Sequence, residues 1–138
     1  MPLLLTDTDI GQLLTMKECV EVIEDSFRQV GNGQTWNRPR SRIRMPRGFH
    51  HLMAASVLGS EVFGLKTYTS FRSDVCFIVM LYDSNNGDLL AMVQGERLTQ
   101  LCTGAVTSVA TQYMARENSA TVGIIGTGNQ GRTQLAGV

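Results

Sequence analysis

The sequence predicts two units of different fold class. Residues 1–119 are predicted to form an α+β domain with an antiparallel-rich sheet, and residues 120–138 to begin a parallel α/β domain. Two observations predict the first unit: helical patterns near both of its ends, and a long run of strand-like segments between them. A third observation predicts the second unit, because an apolar segment near residue 122 leads directly into a glycine-rich turn.

A capping box marks the start of the first helix. In Thr15-Met-Lys-Glu18 the threonine hydroxyl and the glutamate carboxylate can satisfy backbone N–H groups that lack partners at a helix end. The helix is expected to run to about residue 30, with an apolar face formed by Val20, Ile23, Phe27 and Val30. Gly31-Asn32-Gly33 is a suitable helix end. Upstream, Leu3–Leu5 is interpreted as either a short first strand or an extended arm.

Residues 34–96 have the character of strands joined by turns. The segments, in order, are Arg40–Met45, His50–Ser56, Val62–Ser70, Val75–Tyr82 and Leu89–Val93. Near-continuous apolar residues make the segment at 75–82 the strongest of these strands. Pro-Arg-Gly at 46–48 and Asp-Ser-Asn-Asn-Gly at 83–87 are residue types typical of tight turns. Consecutive strands joined by such turns predict an antiparallel meander.

A second helix is predicted from about Leu98 to Arg116, ending before Asn118-Ser119. Its residues are mostly small, among them Thr103, Gly104, Ala105, Thr107, Ser108 and Ala110. Small side chains allow a helix to lie close to another helix or to a sheet.

The glycine-rich turn has the spacing of a dinucleotide-binding motif. The apolar segment Val122–Ile125 is predicted as a strand that runs into Gly126-x-Gly128-x-x-Gly131. In Rossmann domains the first glycine allows the tight turn, the second lets backbone approach a pyrophosphate, and the third lets the next helix pack on the strand. N–H groups at the start of that helix face the phosphates. The alternative is a plain strand–helix turn in another kind of α/β unit.

Composition limits the classes of partner. Twelve basic and twelve acidic residues cancel, so neither nucleic acid nor an anionic membrane is an implied partner. No apolar run approaches the roughly 20 residues that a membrane-spanning helix needs. Three cysteines without a CxxC pair indicate reduced thiols in a cytoplasmic protein. His50 and His51 have no cysteine or carboxylate at metal-ligand spacing, so no metal site is expected.

Seven short motifs are distributed along the whole chain. They are Leu13–Val20 with Glu24-x-x-Phe27, Arg38-Pro39-Arg40, Met53-Ala54-Ala55, Gly64-Leu65-Lys66, Leu81-Tyr82-Asp83 with Asn86-Gly87, Leu98-Thr99 with Thr103–Ser108 and Tyr113–Arg116, and Gly126-Thr127-Gly128-Asn129-Gln130. In this order and spacing they resemble the amino-terminal portion of the ornithine cyclodeaminase/mu-crystallin family, in which glutamine at the fifth place of the glycine turn is distinctive.

The resemblance implies an NAD(P)-dependent enzyme that acts on an amino acid or a cyclic imino acid, as cyclodeaminases, some alanine dehydrogenases and ketimine reductases do. It implies a substrate-binding and dimerisation domain at 1–119, which pairs with its twin through a β-sheet into a homodimer. Residues 120–138 then begin a truncated Rossmann NAD(P)-binding domain, and the chain is interpreted as an amino-terminal fragment that is inactive alone. The alternatives are a non-catalytic, mu-crystallin-like protein that binds cofactor and a small ligand, and a stand-alone dimerisation domain.

The resemblance also implies substrate-binding residues. Lys66 stands at the position of the family's active-site lysine, beside the substrate carboxylate and the reacting carbon, where burial that lowers its pKa would allow proton transfer. Arg40 matches the family's carboxylate-binding arginine. Arg42 is the second choice, because alternation places residues 38, 40, 42 and 44 on one face of a strand. Read without the resemblance, each is an ordinary exposed strand residue.

The implied cofactor-binding residues are Gly126, Thr127, Gly128, Asn129, Gln130 and Gly131 of the glycine turn, together with Thr103. Thr103 is placed at the start of the second helix, where it either contacts a cofactor phosphate or caps the helix. The choice between NAD and NADP stays open. Cys102 is a departure, because the family usually has at this position an arginine that contacts the substrate carboxylate. Either the substrate differs, or Arg97 or Arg42 compensates, or the activity is altered.

Overall fold

One sheet organises the fold. A computed structural model describes residues 1–71 and 75–138. The strands within these residues are β1 (Leu3–Leu5), β2 (Thr35–Asn37), β3 (Ser41–Met45), β4 (Gly48–Val57), β5 (Val62–Phe71), β6 (Val75–Asp83) and β7 (Leu89–Gln94). The helices are α1 (Asp7–Leu13), α2 (Met16–Gly31), α3 (Glu96–Met114) and α4 (Asn129–Gly137). The strands form a single sheet in the order β1-β7-β6-β5-β4-β2, and β3 also pairs with β4.

The predicted meander forms the centre of the sheet. β4, β5, β6 and β7 are successive antiparallel neighbours, and the connection at 72–74 lies outside the described residues. β1 pairs in parallel with β7, which decides the open interpretation of Leu3–Leu5 in favour of a strand. Sequence analysis missed β2, because three residues are too few to show an alternating pattern.

Two capping boxes start the amino-terminal helices. The predicted box is confirmed: the backbone N–H of Thr15 donates to the Glu18 carboxylate at 2.8 Å, and the Glu18 N–H donates to the Thr15 hydroxyl. A second box, Thr6 with Asp9, starts α1. Sequence periodicity missed α1, because seven residues make only about two turns. No helix in the described part of the chain is both long and apolar enough to cross a membrane.

The hydrophobic core lies between the helices and one face of the sheet. Its buried members are Ile10, Cys19, Ala91, Val93, Leu101 and Ala105. Register and alternation place Val79, Leu81, Ala91 and Val93 on the same face, which we call the helix-side face. The opposite face, which we call the outer face, carries Ile78, Met80 and Met92 and contributes no residue to this core.

Residues 120–128 differ from the prediction. The segment Val122–Ile125 forms no strand, and the Ile125 side chain is fully exposed. A strand needs a hydrogen-bonded neighbour, and parallel strands are buried on both faces. No described residue pairs with this segment. The predicted Rossmann strand is therefore not formed in this structure, whereas α4 begins at Asn129, within the glycine motif 126–131.

The small residues of α3 allow α4 to approach closely. A Cβ atom added at Gly104 would overlap the carbonyl oxygen of Thr133, and one at Gly137 would lie 2.7 Å from the carbonyl oxygen of Gly104. The Thr133 side chain is buried at this crossing. The small-residue pattern of the second predicted helix is thus explained by a helix–helix contact.

Candidate functional site

The strand register gathers polar residues on the helix-side face. In the β4–β5–β6 register, Met53, Lys66 and Val79 lie side by side, and so do His51, Tyr68 and Phe77. Directly opposed residues share a face, so Lys66 lies on the same face as Val79, which packs against the core. The Lys66 side chain is half-buried. The reading of Lys66 as an ordinary solvent-facing strand lysine is therefore wrong.

A hydrogen bond to α3 holds Lys66 in place. Its Nζ donates to the Thr99 hydroxyl at 2.9 Å, and that hydroxyl donates in turn to the Gly95 carbonyl. The Nζ lies 4.9 Å from the centre of the Phe77 ring and 5.9 Å from that of Tyr68. An ammonium has three N–H donors, and the remaining ones have no hydrogen-bond partner among the described residues. They are available to a ligand.

The surroundings of Lys66 destabilise its charged, protonated form. Burial lowers the pKa of Lys66, the neighbouring Cys102 thiol acts in the opposite direction, and the Arg40 guanidinium lowers it further. Within the described residues Lys66 forms no salt bridge, and the ion pair found there is Arg28–Glu24 on α2. A lysine with a lowered pKa can exchange protons at more moderate pH than an exposed lysine.

The Arg40 guanidinium also lies near the Tyr68 ring and acts electrostatically on Lys66. The Arg40 guanidinium carbon lies 5.8 Å from the ring centre, a distance similar to that of the Lys66 Nζ. Arg42 lies opposite His51 in the β3–β4 register, one step further from Lys66. This arrangement favours Arg40 over Arg42 as the first partner of Lys66. Arg40, His51, Lys66, Tyr68 and Phe77 are called the Tyr68 cluster below.

An open groove of about 350 Å³ adjoins Lys66. Its lining includes Asn37, Met53, Ala55, Gly64, Lys66 and Val79. This volume is at the lower end of the range of small-molecule sites. A ligand of amino-acid size can therefore lie against the helix-side face with one end at Lys66.

Cys102 faces this site from α3. Burial raises the pKa of the Cys102 thiol, while the Lys66 charge lowers it. Arg97 makes other contacts here: its guanidinium lies 3.5 Å from Gln100 Oε1, and its backbone N–H donates to Asp7. Position 102 thus contributes a neutral thiol where the resemblance implies a cation.

The glycine turn has the geometry that its spacing requires. Gly126 has φ +102°, a conformation that favours glycine. A Cβ at Gly131 would lie 2.5 Å from the Gly126 carbonyl oxygen, whereas the space around the Gly128 Cα is open. Gly128 precedes α4 and no side chain caps that helix, so its first N–H groups are free of a capping partner. Thr127, Asn129 and Gln130 are exposed beside it.

Thr103 is not at a helix start. α3 begins at Glu96, and Thr103 lies inside it with its hydroxyl donating to the Thr99 carbonyl at 2.7 Å. A capping role for Thr103 is therefore wrong, because the cap position belongs to Gly95. The sequence placed the helix start too late, since Glu96 and Arg97 carry no apolar periodicity.

His51 is a site residue that sequence analysis set aside. Its side chain is buried, its ring stacks on Tyr68 with centres 4.2 Å apart, and its Nε2 lies 3.0 Å from the Ser70 hydroxyl. The sequence signal was present but indirect: His51 and Met53 alternate along one strand, and Met53 lies opposite Lys66.

Comparison with known proteins explains this combination of features. The sequence profile of the ornithine cyclodeaminase/mu-crystallin family matches residues 1–138. The chain belongs to this family. Among its relatives is the alanine dehydrogenase of Archaeoglobus fulgidus, 30% identical over 140 residues, which are 96% of this chain and 43% of that protein.

Solved structures of the family have the same fold. The Thermococcus litoralis delta(1)-pyrroline-2-carboxylate reductase, in complex with NADH and L-proline, matches with a TM-score of 0.92 at 34% identity, over 98% of this chain and 45% of that chain. An archaeal alanine dehydrogenase dimer with bound NAD matches with a TM-score of 0.92 at 29% identity, over 99% and 44%. The chain thus spans less than half the length of the family members it matches.

Proposed function

We propose that this chain is the substrate-binding part of a longer NAD(P)-dependent oxidoreductase or cyclodeaminase that acts on an amino acid or a cyclic imino acid. The observation that carries the proposal is the pairing of Lys66 and Arg40 over Tyr68, both without an acidic partner among the described residues. Two cations near the Tyr68 ring, of which Lys66 also lines a groove of amino-acid size, suit an α-carboxylate. The same proposal includes the domain division: residues 1–119 form the substrate-binding domain, and the cofactor-binding domain begins at residue 120.

The roles of the residues follow from their chemistry. The planar Arg40 guanidinium can offer two parallel N–H donors to the α-carboxylate. Thr99 fixes the position of the Lys66 Nζ. The other N–H groups of this Nζ bind the same carboxylate and so orient the α-carbon, which carries the amine or imine nitrogen, toward the reaction site. The lowered pKa of Lys66 allows its Nζ to give or take a proton. Hydride transfer at the α-carbon is the chemistry that a nicotinamide supplies when bound.

The glycine turn is the part that would hold the cofactor. The close approach of Gly131 to Gly126 and the open space at Gly128 fit a pyrophosphate at the start of α4. Asn129 and Gln130, exposed at that end, would offer their amides to it. By itself the 138-residue chain is expected to have no turnover, which an assay with NAD⁺ and NADP⁺ tests directly.

The outer face is proposed as the surface of a homodimer. It carries Ile78, Met80 and Met92 without helix cover, and the archaeal alanine dehydrogenase relative is a dimer. Burial of such an apolar face is the usual drive for obligate association. Sedimentation equilibrium should give a dimer for the native chain and a monomer for Met80→Lys. A native monomer at micromolar concentration would contradict this part of the proposal.

The decisive experiment on the site replaces Arg40. In the full-length protein, Arg40→Gln is expected to raise the KM for the amino-acid substrate by about tenfold or more, since a hydrogen-bonded charge pair is lost. Arg47→Gln, in the exposed turn between β3 and β4, is the matched control. L-proline, L-alanine and L-ornithine are the substrates to test, each with NAD⁺ and NADP⁺. Equal KM values for the two variants would show that Arg40 does not bind the substrate.

A second candidate is a non-catalytic protein that binds cofactor and a small ligand. The observation that favours it is Cys102, a neutral thiol facing Lys66 at the place of an expected arginine. Cys102→Arg separates the two candidates. An enzyme that already turns over with cysteine supports the first candidate, whereas activity that appears only with arginine supports the second.

A further inference from the structure

The Tyr68 cluster holds more donors than one carboxylate needs. His51 lies opposite Arg42 on one side and opposite Tyr68 on the other. All three side chains therefore belong to the helix-side face, next to the pair formed by Arg40 and Lys66. The function proposed above uses Arg40 and Lys66 and leaves His51 and Arg42 without a task.

His51 has a buried nitrogen that nothing satisfies. The residue is 7% exposed, and its Nε2 pairs with the Ser70 hydroxyl. Its Nδ1 is buried and has no hydrogen-bond partner within residues 1–71 and 75–138. Buried polar atoms in native proteins are nearly always paired, and an exception points to a ligand or another missing group. When the Ser70 hydroxyl donates to Nε2, the ring proton resides on Nδ1, which makes that nitrogen a donor.

The charges around His51 are all positive. Burial, then Arg42, Arg40 and His50, lower the pKa of His51. No carboxylate of the described residues contributes to the pKa of His51 or of Lys66. Such surroundings repel the distal ammonium group of a diamino acid and attract an additional acid group.

We propose that the preferred substrate is an amino or imino acid with an acidic side chain. Arg40 and Lys66 take the α-carboxylate, and the Nδ1 of His51 with the Arg42 guanidinium takes the second carboxylate. This inference rests on the proposed function and narrows its substrate class. It separates this chain from family members that act on diamino acids.

A binding titration tests the substrate class without turnover. The purified protein is titrated with L-aspartate, L-alanine and L-ornithine, and the side-chain NMR signals of the two histidines are followed. L-aspartate is expected to bind about tenfold more tightly than L-alanine, since one charge-assisted hydrogen-bonded group is added. L-ornithine is expected to bind more weakly than L-alanine, and the His51 signal is expected to shift with L-aspartate alone.

Two matched variants locate the effect. His51→Phe keeps an aromatic ring against Tyr68 and removes Nδ1, and it should abolish most of the preference for L-aspartate with less than a twofold effect on L-alanine. His50→Phe, whose side chain bonds to Thr67 on the outer face, should preserve the preference. Unchanged unfolding midpoints show that both variants are folded.

The outcomes separate this inference from the proposed function. Equal affinity for L-aspartate and L-alanine, or equal weakening of both by His51→Phe, overturns the inference. Binding of NADH with no binding of any of the three amino acids also overturns it, while the cofactor part of the proposed function stands. A preference for L-aspartate in a protein that binds neither NADH nor NADPH supports the inference and contradicts the cofactor part of the proposed function.

Discussion

The β7 half and the β4 half of the helix-side face belong to the same sheet but have opposite environments. On the β7 side, Ala91 and Val93 are buried under Leu101 and Ala105 of α3. On the β4 side, His51 and Lys66 lie beyond this cover, where α3 contributes Thr99 and Cys102 from its amino-terminal half. The comparison shows that alternation alone does not decide a residue's role. The helix above the strand decides whether an inward side chain becomes core or site.

The largest expected effect is on the site side. Lys66→Ala in the full-length protein should lower kcat/KM by roughly 100-fold or more, because a positioned proton-transfer group contributes about 10²–10⁴-fold. Stability should hardly change, since the buried charge of Lys66 is itself unfavourable. Steady-state kinetics and thermal unfolding measure the two effects. Lys17→Ala, on the exposed surface of α2, is the control. Unaltered turnover in Lys66→Ala would show that the lysine has no role.

The sequence predicted the strands of this face, but not which part of the face becomes core and which part becomes the site. Alternation and turn residues located β3 to β7 and their meander, because these signals are local. The bond between Lys66 and Thr99 joins residues 33 positions apart, and no local pattern indicates it. The importance of Lys66 and Arg40 came from the family resemblance, and the structure supplied their meeting at Tyr68.

The errors have equally physical causes. Val122–Ile125 has strand composition, but a strand requires a neighbour, and none of the described strands pairs with it. His51 was considered only as a possible metal ligand and was rejected as one. Its burial and its unpaired Nδ1 are tertiary properties, which the sequence does not show. Thr103 was misplaced because the start of α3 has charged residues and no capping side chain.

The core side should respond in stability instead of activity. Leu101 is 3% exposed within the core cluster, and Leu101→Ala should lower the free energy of unfolding by about 2–5 kcal/mol, through lost burial and the cavity left behind. Leu13→Ala, at an exposed position of α1, should change it by less than about 0.5 kcal/mol. Urea denaturation measures both. Similar losses of unfolding free energy in the two variants would mean that Leu101 of α3 is not part of the core.

A smaller effect is expected where α3 meets α4. Gly104→Ala introduces a Cβ that overlaps the Thr133 carbonyl oxygen, and should cost about 1–3 kcal/mol as α4 moves away. Gly11→Ala is the matched control, since nothing lies within 4 Å of its added Cβ, and it should gain about 0.4–1 kcal/mol. Opposite signs in urea denaturation are the expected result. A stabilising Gly104→Ala would contradict the close crossing of the two helices.

The smallest effect concerns the capping box that starts α2, beneath the covered side of the sheet. Hydrogen bonds from the Thr15 hydroxyl and then the Thr15 backbone N–H lower the pKa of Glu18 below its usual value of 4.5. The stabilisation is therefore complete above about pH 4.5 and is lost as the pH falls through the lower folded value.

Glu18→Gln keeps an amide that can accept the same bonds but has no charge to titrate. Its unfolding midpoint should be slightly lower than that of the native protein at pH 7, and the difference should shrink as the pH falls from 4.5 to 3. Glu21→Gln, on the next turn of α2, makes no capping bond and should leave the acid dependence unchanged. An equal difference at both pH values would assign the effect to packing and not to the charge of the cap.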